Sequence, residues 1–163
     1  MDEKHLLKIL EKDPGIRNED LADMLQVSTD EIKGAKKRLE EKGIILGYRT
    51  VVNWDAAGAN DRCTAIIMVS AKPEREAGYD RVADKIARFQ EVRDLYLMSG
   101  TAEFMVFVEC RTMREISDFV AQKLAPIEGV TATVTCFQLQ QYKVAGMRVD
   151  AGKKEDERML VEP

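Results

Sequence analysis

The sequence predicts an α+β chain in two parts, a small helical head followed by a sheet with its helices on one side, and three observations carry that reading. Residues 1–50 hold three short stretches of apolar residues at helical spacing, parted by Pro14-Gly15 and by Gln26-Val27. Residues 62–143 alternate β-rich and helical segments in the order βαββαβ. Between the two, Asn53 to Asp61 breaks both periods and marks a linker over 51–61; residues 144–163 are left as a C-terminal tail. A length of 163 residues accommodates two small domains and leaves no room for a large enzyme.

Each helix of the head has its own signals. Asp2 caps a first helix that carries Leu6, Leu7 and Leu10, and Pro14-Gly15 stops it. Asn18 opens a shorter second helix with Leu21, Ala22 and Leu25. Ser28-Thr29-Asp30-Glu31 has the capping-box form, so a third helix starts there and runs to Gly43. Small or apolar residues at Ala22, Ile32 and Ala35, with Leu21, Leu25 and Val27 around the bend, suit two helices meeting at a wide angle over a short turn, which is the helix-turn-helix pattern. Gln26 occupies the position where that turn usually has glycine, at a cost of up to about 1 kcal/mol if a left-handed conformation is required.

The third helix carries Lys33, Lys36, Lys37 and Arg38. On a helix placed by this motif they are candidates for phosphate contact, and Ser28 and Thr29 at its start for entry into the major groove. A solvated helix face has the same composition, and Asp30 and Glu31 at the start work against phosphate approach while also serving the cap and the helix dipole. After Gly43 the β-rich run Ile44 to Val52 reads as a short wing or linking strand, with Arg49 able to touch backbone phosphate and Tyr48 more suited to packing than to base stacking.

In the second part, Arg62 to Ala71 reads as a strand, and Tyr79, Val82, Ala83, Ile86 and Phe89 as a helical stripe. Val92–Met98 and Glu103–Cys110 are strands around the turn at Ser99-Gly100-Thr101. Thr112 to Glu115 caps a helix bearing Ile116, Phe119, Val120 and Leu124, and Val130–Tyr142 is the last strand. Two such βαβ halves make a ferredoxin-like sheet of four antiparallel strands with both helices on one face. Its other face, expected to include Ile66, Met68, Val106 and Val134, needs a partner, and a twofold homodimer is the economical one.

Composition bounds the function. With 45% hydrophobic and 33% charged residues the chain is neither disordered nor fibrous. The net charge is -4, and residues 1–50 balance ten basic against eleven acidic side chains, so any nucleic-acid contact rests on a local patch. Apolar runs such as Ala65–Val69 are far too short to span a bilayer, the opening Met-Asp-Glu-Lys does not look like a secretory signal, and no membrane partner is expected. Cys63, Cys110 and Cys136 are odd in number and lack Cys-x-x-Cys spacing. That pattern points to a reducing cytoplasm without a disulfide framework, a metal site or another cofactor.

The run Leu21-Ala22-Asp23-Met24-Leu25-Gln26-Val27-Ser28, the segments Leu39 to Ile45 and Gly47-Tyr48, and then Glu91 to Gly100, Gly129 to Thr135 and Tyr142-Lys143 resemble, in this order, the Lrp/AsnC or feast/famine family of regulators over residues 1–143. The resemblance implies a winged helix-turn-helix joined to a ferredoxin-like sensing domain, a chain that dimerises and often assembles further, and partners that are double-stranded DNA and a small effector such as an amino acid. It places the effector near the loop matching Met98 to Glu103, and carries over Met98, Ser99, Gly100, Thr101 and Glu103, with Thr133 and Thr135 on the last strand. A glycine-containing turn can offer amides to a carboxylate, while Glu103 could hold an ammonium group. The family usually has aspartate where Glu103 stands, and an arginine followed by an apolar residue where this chain has Ala35-Lys36, so neither effector nor DNA sequence is borrowed from a relative.

Two other functions compete with this reading. The layout also resembles sirohaem decarboxylases, which would be expected to use histidine around a tetrapyrrole, but the single histidine, His5, sits in the first helix and leaves no general base near Cys110 or Cys136. No catalytic residues are assigned and enzymatic activity is not expected. The other reading is an effector-sensing oligomer with weak or no DNA binding, motivated by Asp30, Glu31 and the near-neutral head.

Overall fold

The computed structural model describes residues 2–58, 61–73, 75 and 78–149. It divides into two compact units, Met1–Val52 and Asn53–Pro163.

In the first unit, α1 (Glu3–Lys12) begins where the Asp2 carboxylate accepts from the Lys4 amide at 2.9 Å. It ends at Asp13, whose side chain accepts from Gly15 N–H at 3.0 Å. The second helix, α2 (Asn18–Leu25), and α3 (Thr29–Glu41) complete the bundle. Leu6 and Leu10, Leu21 and Ala22, and Ile32, Ala35 and Leu39 close into one buried cluster, with Leu25, Val27 and Ile45 packed around it. Gln26 does adopt the left-handed conformation, at φ 54° and ψ 46°. Val27 N–H still reaches the Ala22 carbonyl at 3.1 Å, so the strain is spent on turning the chain directly from α2 into the cap of α3. Ser28 Oγ accepts from Glu31 N–H at 3.2 Å to make that cap.

The end of α3 is a Schellman turn. Gly43, at φ 66°, donates to the Glu40 carbonyl and Ile44 to the Leu39 carbonyl, both at 2.9 Å. The expected strand over 44–52 does not form: among the described residues this segment makes no ladder. Its apolar side chains are right for a strand, yet a strand needs a neighbour to take its hydrogen bonds, and the helical unit offers none.

In the second unit, β1 (Cys63–Ala71), α4 (Asp80–Ala87), β2 (Val92–Leu97), β3 (Phe104–Cys110), α5 (Met113–Phe119) and β4 (Val130–Phe137) follow the expected βαββαβ order. The sheet order is β2-β3-β1-β4, with every pairing antiparallel. Ala65, Ile67, Val69 and Ala71 of β1 join Phe104, Val106 and Val108 of β3 in a core closed by Val82, Ile86, Ile116, Phe119 and Leu124 from the helices. Val106 is thus fully buried on the helix side and does not belong to the open face. That face is formed instead by Ile66 and Met68 of β1, Met105 and Phe107 of β3, Tyr96 of β2 and Val134 and Cys136 of β4. When both faces of a strand are apolar, alternation gives the period without saying which phase meets the helices.

Two local departures have clear causes. The helix capped by Thr112, whose hydroxyl accepts from Glu115 N–H at 3.1 Å, becomes a π-helix over Val120–Leu124. The wider turn swings Leu124 back under the face that buries Phe119, which regular α spacing across five residues would not do. The last strand stops at Phe137, short of Tyr142, because its partner runs out: Gln138 N–H donates to Thr64 at 2.9 Å and β1 begins one residue earlier, at Cys63. Beyond it, in what the sequence suggests is the start of the tail, β5 (Lys143–Val144) and β6 (Met147–Arg148) form a small hairpin. The charged run Lys153–Arg158 and the apolar Met159-Leu160-Val161, expected in that tail, lie outside the described residues. Gly129, at φ 95°, has no room for a side chain, since a Cβ there would stand 3.0 Å from Val82.

The left-handed turn at Gln26 generates a stability prediction. Gln26→Gly should raise the unfolding free energy of the helical unit by up to about 1 kcal/mol in urea denaturation, and Gln26→Val should lower it by at least as much, because a β-branched side chain is the least tolerant of positive φ.

Candidate nucleic-acid interface and effector cavity

The buried positions of α3, Ile32, Ala35 and Leu39, set which side of the helix is free. Lys33 and Lys37 project from that free side, with side chains 59% and 76% exposed. Each has an acidic neighbour on the same helix, Asp30 at 3.8 Å and Glu41 at 3.9 Å, loose surface pairs that a polyanion can displace. Ser28 and Arg49 are exposed and Thr29 half-buried.

The other two basic residues of α3 are engaged within the unit. Lys36 donates to Asn18 Oδ1 at 3.2 Å and lies 5.0 Å from the centre of the Tyr48 ring. Arg38 pairs with Glu3 of α1 at 3.3 Å. Tyr48, although exposed, is held against α3 by that ring contact and by its hydroxyl, which donates to Glu40 at 2.9 Å. Partial burial, reinforced by the Glu40 carboxylate, pushes the Tyr48 phenol up to about 12. This Asn18-Lys36-Tyr48-Glu40 cluster escapes sequence inspection because its members are spread over thirty residues.

In the second unit, Met98, Ser99, Gly100 and Thr101 come together with Ala102 around a cavity of about 140 Å³ whose remaining wall is Met68, Phe104 and Met105. The turn is closed by Met98 N–H donating to the Glu103 carbonyl at 2.8 Å. Met68 and Met105, a cross-strand pair on the open face, were not foreseen as wall residues, although their place at the loop end of two adjacent strands is a usable signal. The other three candidates are not brought there. Glu103 turns away, and its Oε2 accepts from Ala71 N–H at 2.8 Å. That amide faces the β3 edge of β1, where the pairing with β3 has ended at Val69 and Phe104, so no strand carbonyl takes it. Thr133 and Thr135 pair with Val69 and Ile67, so they lie on the helix-covered face, half-buried.

A larger cleft of about 530 Å³ lies elsewhere in this unit, between α5 and the strand ends near Arg62, Glu91 and Cys110. Six of its charged residues are paired: Glu91 with Lys123, Arg62 with Glu109, and Arg111 with Glu115 at 3.1 Å. The Lys123 hydrogen bond holds the Glu91 carboxyl below the usual carboxylate range. Trp54 covers this network, its ring 4.4 Å from the Arg62 guanidinium.

These contacts make two expectations measurable. Glu103→Ala leaves the Ala71 amide unsatisfied and should cost the sheet unit about 1–2 kcal/mol in denaturant unfolding, while Glu103→Gln keeps an acceptor and should cost less. An unfolded chain releases a tyrosine proton near pH 10 but the folded head holds that of Tyr48 to about 12, so this contribution to stability is complete below about pH 10 and fades as pH rises through 12. Ultraviolet titration should show a late-ionising phenol that Tyr48→Phe removes.

Comparison with known proteins places both units. Residues 64–147 match the Lrp/AsnC ligand binding domain and residues 3–45 a winged helix-turn-helix DNA-binding domain. The chain is 34% identical over 161 residues to the uncharacterized HTH-type transcriptional regulator YugG of Bacillus subtilis, covering 99% of this chain and 96% of that protein. It is 33% identical to the HTH-type transcriptional regulator LrpA of Pyrococcus horikoshii, covering 86% and 96%. Among solved structures, the leucine response regulatory protein of Mycobacterium tuberculosis superposes with a TM-score of 0.72 at 19% identity, covering 90% and 96%. A transcriptional regulator from Neisseria meningitidis in complex with L-Met superposes with a TM-score of 0.64 at 23% identity, covering 87% and 90%. With the sensing-domain match spanning half the chain and the relatives being regulators and not enzymes, this protein belongs to the Lrp/AsnC family of DNA-binding transcriptional regulators.

Proposed function

We propose that the chain reads duplex DNA through α3 and responds to a small amino acid held at the turn between β2 and β3. The exposure of Lys33 and Lys37 on the free side of the second helix of the motif is the observation that carries the DNA half. Two lysines one turn apart on a helix point the same way, and displacing condensed counterions from phosphates is the chemistry they supply. Ser28 and Thr29 enter the groove with the helix N-terminus, and Arg49 contacts backbone. Lys36 and Arg38, already bonded within the unit, add positive potential without direct contact. A homodimer formed through the open sheet face presents two such helices and buries Ile66, Met68, Met105, Phe107 and Val134. Action on DNA goes with a cytoplasmic protein.

For the effector half, the support is chemical. The cavity combines the Ser99 and Thr101 hydroxyls with a wall of three methionines and Phe104, which suits a zwitterion with an apolar side chain. That one fold neighbour was solved with L-Met favours the same class. Because Glu103 is committed to the Ala71 amide, the ammonium group is met by hydroxyls, carbonyls or a second copy of the chain. Effector binding shifts regulation only if its affinity differs between two assemblies.

Asp30 and Glu41 beside the two lysines favour a second reading, a sensor with weak DNA affinity. Titration of the protein against its own upstream DNA at several salt concentrations separates them. Three phosphate contacts per head give a log–log slope of roughly -5 for a dimer, and a response without slope or binding leaves only the sensor. Lys33→Ala with Lys37→Ala should flatten the slope by about 3 to 4 without changing oligomer mass. In a thermal-shift panel, apolar amino acids should stabilise the protein, and Ser99→Ala with Thr101→Val should weaken that response about tenfold while sparing the unliganded midpoint. Phe107→Glu on the open face should reduce the light-scattering mass to that of one chain.

A further inference from the structure

Cys63 opens β1, Cys110 closes β3, and the antiparallel register sets them directly opposite each other. Opposed residues on antiparallel strands have Cα atoms about 4.5–5.5 Å apart, inside the window of roughly 4.4–6.8 Å that disulfides occupy. The two side chains share a face: Cys63 continues the phase of Ala65 and Ile67, Cys110 that of Val108 and Val106, and both pack at the border of the same core. Their separation along the sequence conceals this pairing. Both thiols are free and half-buried, and Cys110 lines the 530 Å³ cleft, where a small molecule can reach it. As terminal residues of their strands they can adjust without disturbing the ladder between Ala65 and Val69. Burial pushes the Cys110 thiol up, as do the carboxylates of Glu91 and Glu115 and the neighbouring Cys63, against the smaller pull of Lys123. A thiol kept protonated exchanges slowly. Cys136 is no competitor within the chain, being exposed on the opposite face beside Ile66.

We propose that Cys63 and Cys110 form a reversible modification site, an intrachain disulfide that staples β1 to β3 at the cleft, with the disulfide of a low-molecular-weight thiol as co-substrate. One cysteine, as thiolate, attacks a sulfur of the small disulfide; a mixed disulfide forms, the small S–S bond breaks, and one small thiolate leaves to take up a proton. The second cysteine then attacks the protein sulfur of the mixed disulfide and releases the other small thiol. Two protein thiols are oxidised and one small disulfide is reduced to two thiols. The bond closes the chain from residue 63 to residue 110, a loop long enough to restrict the unfolded state appreciably.

The test uses the full chain carrying Cys136→Ser, equilibrated with glutathione disulfide. Peptide mapping should give Cys63 joined to Cys110, non-reducing electrophoresis a single-chain mass, and calorimetry a thermal midpoint raised by roughly 5 °C or more that reduced glutathione reverses. Adding Cys63→Ser or Cys110→Ser should halt the reaction at a stable glutathione adduct on the remaining thiol. Glutathione on both cysteines without a joined peptide, cross-linking between chains, or a joined peptide with a lowered midpoint would each overturn the proposal.

Discussion

The sheet unit depends on the two-sided commitment of β1. That strand pairs with β3 on one edge and β4 on the other, and its alternation sends Ala65, Ile67, Val69 and Ala71 into the helix-covered core while Ile66 and Met68 go to the open face. Burying side chains such as Ile67 and Val69 stabilises the fold by about 1.5–3 kcal/mol each, so a slip of one residue, which would exchange the faces, is strongly opposed. Everything of functional interest in this unit is placed by that phase. Met68 reaches the wall of the cavity at one end, Cys63 meets Cys110 at the other, and the end of the β3 pairing at Val69 leaves the Ala71 amide to the Glu103 carboxylate.

The helical unit is organised by a smaller constraint, the sharp turn between Leu25 and Ser28. A residue with a side chain is accepted in a conformation that glycine holds more easily, because α3 must begin at once with its cap. The cap and the core phase together fix the helix about its own axis. Lys33 and Lys37 are exposed because Ile32, Ala35 and Leu39 are not, and the same rotation turns Lys36 into the crevice beside Asn18.

Much of this was legible in the sequence, since the helix stripes, the caps at Asp2, Ser28 and Thr112 and the order of strands all derive from local periodicity and local hydrogen bonding. What escaped was decided between segments. The run Ile44–Val52 has strand composition but no neighbour to pair with; β4 ends where β1 begins; Val106 is buried and Val134 open although both are valines in β-rich runs. At the candidate sites the loop Met98–Thr101, suggested by family likeness, lines one cavity, while Thr133 and Thr135 lie on the other face of the sheet and Glu103 is bonded to the Ala71 amide. Spacing along the chain cannot reveal that a carboxylate is already taken by a main-chain amide thirty-two residues away.

The clasp around Tyr48 has a mechanical consequence. With its ring under the Lys36 ammonium and its hydroxyl on Glu40, the tyrosine rivets the chain that leaves the bundle to the flank of α3. A pull on the chain from its C-terminal side is therefore borne by α3 at Tyr48 before the segment between Gly43 and Tyr48 is loosened.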